Sequence, residues 1–126
     1  MVFPRCLYSW LALVFCTLGF AAVPGSSTVS GKELVQGYLV DQVCVSDEAG
    51  RMSELGPVHT RKCLEMPACI QGGYAILLPS NQVLNFDAHG NDLARKWLTS
   101  HRREKGIRIK ASGTREGNTL HVLRIE

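Results

Sequence analysis

The sequence predicts a mainly β, α+β domain in which five short strands curl into a small barrel behind an N-terminal signal segment. Three observations predict it. Five short runs rich in Val, Ile, Leu and Tyr are bounded by Gly, Pro, Asn and Asp. Their order is strand, broken helix, strand, strand, helix, strand, strand. The first 25 of the 126 residues differ from everything that follows, because Arg5 is their only charge. Five short strands cannot bury two faces as a flat sheet, so closure is the natural solution. Three strands, a helix and two further strands is the order of an OB-like barrel, here with a helical insert between the first and second strands. An open five-stranded α+β sheet is the alternative.

The N-terminal segment has the layout of a secretory signal. A basic start ends at Arg5, an uncharged apolar run covers 6–20, and the small residues of AAVPG follow. The run is about 15 residues, short of the roughly 20 that a membrane-spanning helix needs. Cleavage after Ala21 fits through Gly19 and Ala21, and cleavage after Gly25 fits through Val23 and Gly25. The expected layout is therefore a signal peptide over 1–25, a flexible lead-in over 26–33 and one domain over 34–126, with no membrane span once the signal is removed. The destination is the outside, a periplasm or an endomembrane lumen.

Within the domain, 34–45 reads as the first strand, with Gly37 marking a bulge or bend. Residues 46–58 carry Gly50, Gly56 and Pro57 and read as a long loop. Residues 59–71 read as a helix broken at Pro67, with Thr60 as N-cap and a second short turn carrying Cys69. Residues 74–80 and 83–87 are paired strands. Residues 92–104 place Leu93, Trp97 and Leu98 at helical spacing, so Trp97 falls on the core face; Asn91 is the expected N-cap and Gly106 the expected stop. Residues 107–115 and 119–126 form a closing hairpin around Gly117 and Asn118.

The chain resembles a loose family of small exported bacterial domains of unknown function. The resemblance runs through Gly37-Tyr38-Leu39-Val40-Asp41 to Cys44, His59-Thr60 to Cys63, Cys69, Gly73-Tyr74, Phe86-Asp87 and Gly90-Asn91. It closes with Gly113-Thr114 and Gly117-Asn118-Thr119 to Val122. It covers nearly all of 36–125 and implies export and a small β-rich fold. It carries over no catalytic residue.

Composition narrows the chemistry. The formal charge is +3, and loss of Arg5 with the signal lowers it by one. Such a balance does not suit a general polyanion binder, so nucleic acid is not an expected partner. Three cysteines remain after the signal, an odd number for an oxidising compartment. Cys44, His59, Cys63 and Cys69 form the one cluster with chemical promise, His59 and Cys63 being four apart and so on one face if both are helical.

Three readings of that cluster compete. In the first, Cys44 joins Cys63 or Cys69 in a disulfide, closing a loop of roughly 20–25 residues for about 3 kcal/mol. In the second, Cys44, His59, Cys63 and Cys69 bind a metal, zinc being the cofactor that suits this donor set. The spacings match no standard zinc finger. In the third, one thiol stays free and is activated by His59 or Lys62, although no Cys-x-x-Cys is present.

A second candidate is the basic stretch with Arg102, Arg103 and Lys105, as a polyanion- or oligonucleotide-binding face of an OB-like barrel. Asp41, Asp47, Glu48 and Glu54 have nothing in the sequence to fix their separation. No hydrolase or phosphate-loop motif occurs. The sequence thus predicts an exported binding or structural module stapled by cysteines rather than an enzyme. Its ligand and oligomeric state are open.

Overall fold

The structure, a computed structural model, describes residues 31–126; the expected signal peptide and most of the expected lead-in lie outside them. The chain forms a closed five-stranded barrel in the order β1-β2-β3-β5-β4. The strands are β1 Lys32–Asp41, β2 Tyr74–Leu77, β3 Val83–Phe86, β4 Arg108–Glu116 and β5 Thr119–Ile125. All neighbours are antiparallel except β3 and β5, which pair in parallel through Asn85–Thr119 and Phe86–Leu120. The OB-like barrel expected from the element order is the fold observed.

The long first strand closes the barrel because it serves two partners. Its N-terminal half pairs with β4 and its C-terminal end with β2, and Tyr38 lies opposite both Arg108 and Leu77. The handover needs a tight approach at Gly37. A Cβ there would sit 2.2 Å from the Leu77 carbonyl oxygen, so only glycine lets the two strands come this close.

Strand periodicity separates two cores. Leu39, Tyr74, Ile76, Leu84, Phe86, Ile109, Leu120 and Val122 face the interior, joined by Ala94 and Leu98 of α5 (Ala88–Ser100). On the other face of β1 and β2, Val40, Ala75 and Leu77 are covered by Leu55, with Met52, Cys44 and Val45 around them. β2 is therefore buried on both faces, which explains why YAIL is apolar without alternation.

The covering layer is the helical insert between β1 and β2. It comprises α1 Gln42–Asp47, a 3₁₀ turn at Ala49–Arg51, α2 Met52–Val58, α3 Arg61–Leu64 and α4 Pro67–Gly72. The region expected as a loop over 46–58 is thus largely helical. Burial of Leu55 and partial burial of Met52 on the sheet override the breaking tendency of Gly56 and Pro57. The first strand stops at Asp41 rather than Val45, since the Asp41 side chain accepts from the Cys44 N–H and caps α1. The strand also begins at Lys32, inside the expected lead-in.

Two further boundaries shift for stated reasons. Asp87, not Asn91, caps α5, accepting from the Gly90 N–H at 2.8 Å. Asn91 is engaged elsewhere, accepting from the Tyr74 N–H at 2.8 Å. The helix consequently ends at Ser100, so Arg102 and Arg103 lie in the following connection. Gly106, at φ 57°, turns that connection back toward the insert instead of ending the helix, donating its N–H to the His59 carbonyl at 3.0 Å. Trp97 is half-buried against the core and stacks on His101 with ring centroids 3.8 Å apart. No helix among the described residues is long and apolar enough to cross a membrane.

Candidate metal centre

The insert brings a carboxylate, two thiols and an imidazole to the end of β1. Asp41 is the last residue of the strand and is wholly removed from solvent. Capping of α1 turns the chain so that Cys44, three residues on, lies back over Asp41. Pro67 opens α4 at its first turn, as the sequence suggests, and α4 carries buried Cys69 to the same place. One ligand atom from each of Asp41, Cys44 and Cys69 lies within 4.8 Å of the other two.

His59 meets this group through Asp41. Its Nε2 lies 2.9 Å from Asp41 Oδ2, and both side chains are almost fully buried. Yet the contact lies off the line of a hydrogen bond, and among the described residues neither atom has another partner. Buried polar atoms without partners are uncommon, and each calls for an explanation. Here a buried oxygen and a buried nitrogen have only each other, at 2.9 Å, next to two sulfurs.

The sequence places His59 and Cys63 on one helix face, and the structure corrects this. Thr60 caps α3, accepting from the Cys63 N–H at 3.3 Å, so the expected cap is present. A cap residue is extended, and His59 before it is extended as well, closing α2. His59 and Cys63 therefore sit on different elements. Cys63 is outside the three-atom group; its sulfur accepts from the Thr60 hydroxyl at 3.2 Å. It lines a neighbouring cleft of about 270 Å³ with Cys44 and His59. Among the described residues Cys44, Cys63 and Cys69 are free thiols, so the expected disulfide is not formed here.

The electrostatics oppose ionised thiols in the absence of a cation. Burial and the neighbouring Asp41 charge push the Cys44 thiol up to about 12. Burial, with the hydrogen bond and charge of Asp41, pushes Cys69 up to about 11. Burial also pushes the Asp41 carboxyl upward, but His59, the Cys44 N–H and the two thiols together outweigh it and hold it at about 2. Asp41 is thus a buried carboxylate at neutral pH, with two protonated thiols against it. Such thiols are poor nucleophiles, which removes the physical basis for an activated thiol at Cys44 or Cys69.

Asp41 is the residue that sequence reasoning misses. Its signal was an acid ending a run of apolar strand residues, three before a cysteine. The basic candidates part company: Arg103 and Lys105 line a second cleft with Tyr38 and Arg108, whereas Arg102 is exposed and does not line it. Comparison with known proteins returned no match to any family model, curated protein or solved structure.

Proposed function

We propose that the protein is an exported metal-binding module whose centre is built from Asp41, Cys44 and Cys69, with His59 at its edge. The convergence of those three ligand atoms within 4.8 Å around a buried carboxylate carries the reading. Two sulfurs with one oxygen and one nitrogen suit a borderline-soft divalent ion, and zinc is the natural resident. A cation reverses the local electrostatics: it neutralises Asp41 and displaces the thiol protons that Cys44 and Cys69 otherwise keep. His59 supplies the fourth donor, its Nε2 already 2.9 Å from the carboxylate and without any other described partner. Export rests on the signal-like order of the first 25 residues.

The test is cobalt substitution. Cobalt(II) bound by two thiolates gives intense charge-transfer absorption in the near ultraviolet. The reading expects one cobalt per chain, with that band lost in Cys44→Ser and in Cys69→Ser. Absence of binding, or a band retained in both variants, contradicts it.

One observation favours a second reading. The Cys44 and Cys69 sulfurs lie within 4.8 Å of each other, so oxidation to a staple between α1 and α4 requires only that they close to about 2.05 Å. That staple would pin the two ends of the insert to each other as a structural device, and the protein would bind its ligand elsewhere.

A further inference from the structure

The barrel carries a second cleft, of about 440 Å³, in which the basic connection after α5 faces β1 and β4. Arg103, Lys105 and Arg108 line it, together with Tyr38. All three cations are exposed, and none makes an ion pair among the described residues. Arg51, Arg61, Arg95 and Arg124 are matched to nearby acids, whereas the cleft's three cations converge on one concavity with no acid paired to them. What distinguishes these three positive groups is their convergence around one concavity.

These groups are held in place. The Arg108 guanidinium lies 5.5 Å over the Tyr38 ring, and that ring is backed by Gly56, where a Cβ would come within 2.4 Å of it. Arg103 donates its Nε–H to the Lys105 carbonyl at 3.0 Å, which leaves the outer guanidinium N–H groups to face a ligand. The connection is tied to the insert by Gly106 N–H to the His59 carbonyl and by Arg61 N–H to the Glu104 carbonyl at 2.8 Å. The ring is engaged by Arg108 and backed by Gly56, so it serves to position Arg108.

We propose that this cleft is an oxyanion site for a ligand carrying a diphosphate group. Two guanidinium forks match phosphate oxygens in pairs, and the lysine adds a point charge. Three cations balance the charge of about three that a diphosphate carries near neutral pH, given a second phosphate ionisation near 6. A single phosphate would leave part of the cleft unsatisfied. This assignment does not depend on the metal centre, whose residues line neither wall.

The experiment is calorimetric titration of the metal-free protein with inorganic pyrophosphate at low salt, which keeps metal chelation by the probe out of the result. We expect saturable one-to-one binding with a Kd of about 1 mM or tighter. Arg103→Gln and Arg108→Gln should each weaken it about tenfold, the loss of a charge-assisted hydrogen bond. Lys96→Gln and Arg124→Gln, on other surfaces, should leave it unchanged. Inorganic phosphate should bind about tenfold more weakly than pyrophosphate. Absence of saturable binding up to about 10 mM overturns the site. Equal losses in the control variants overturn it too, and equal affinity for single phosphate overturns the diphosphate assignment.

Discussion

Asp41 Oδ2 and His59 Nε2 lie 2.9 Å apart in the interior, and among the described residues neither atom has any other partner. The pair joins the end of β1 to the junction of α2 and α3, elements that otherwise meet through apolar packing. A buried carboxylate and ring nitrogen with only each other as partner are costly to bury. A cation shared with Cys44 and Cys69 removes that cost, so several outcomes can be stated in advance.

Asp41→Asn keeps the shape and the α1 cap while removing the charge. Metal affinity should fall by about 100-fold or more, since losing a direct charged ligand costs at least as much as losing a supporting group. Asp41→Ala removes the cap as well and leaves His59 buried without its partner. It should destabilise the metal-free fold by about 3 kcal/mol or more, read from denaturant midpoints at constant m-value.

The cysteines should separate by position. Cys44→Ser and Cys69→Ser should abolish stoichiometric metal binding, whereas Cys63→Ser should retain it, because Cys63 lies outside the three-atom group. Metal content of dialysed protein checks this. Loss of metal in all three variants would restore the four-residue set Cys44, His59, Cys63 and Cys69.

The pH dependence of the metal-free protein follows from the shifted groups. Asp41 titrates near 2 when folded, against an ordinary 3.8, so its contribution is present above about 4 and is lost as pH falls toward 2. Cys69 and Cys44 titrate near 11 and 12 against an ordinary 9.0, so their contribution is present below 9 and is lost as pH rises through 11 to 12. Thermal melts across both windows should show decline at each end. Metal affinity should rise with pH across the neutral range, since binding expels two thiol protons.

Gly37→Ala tests the barrel closure. The new Cβ would meet the Leu77 carbonyl at 2.2 Å, a backbone atom that cannot turn aside. A loss of about 2 kcal/mol or more is expected in chemical denaturation, within the range for overpacked sites.

How much of this was legible in the sequence depends on distance along the chain. The barrel was, because five apolar runs and a helix at fixed places leave few ways to close a sheet. The Thr60 cap and the Pro67 break were legible too, being local chemistry with known partners. The helical character of 46–58 was not, since it depends on Leu55 finding a sheet face assembled from β1 and β2, strands far apart in sequence. Nor was Asp41 as a site residue. An acid at a strand end reads as solvated until Cys69 and His59, 28 and 18 positions away, are seen folded over it. Spacing favoured Cys63 as a partner for His59, but a cap at Thr60 breaks the helical register on which that pairing depended.

The most direct test of the metal centre is a pair of intact mass spectra of the full chain purified from its producing cells, one native and one denaturing without reductant. The account predicts a native mass that exceeds the denatured mass by one metal ion, with every thiol proton present after denaturation. A denatured mass two protons short and a native mass with no metal would instead mean that two of the cysteines are joined in a disulfide, and would contradict the metal centre.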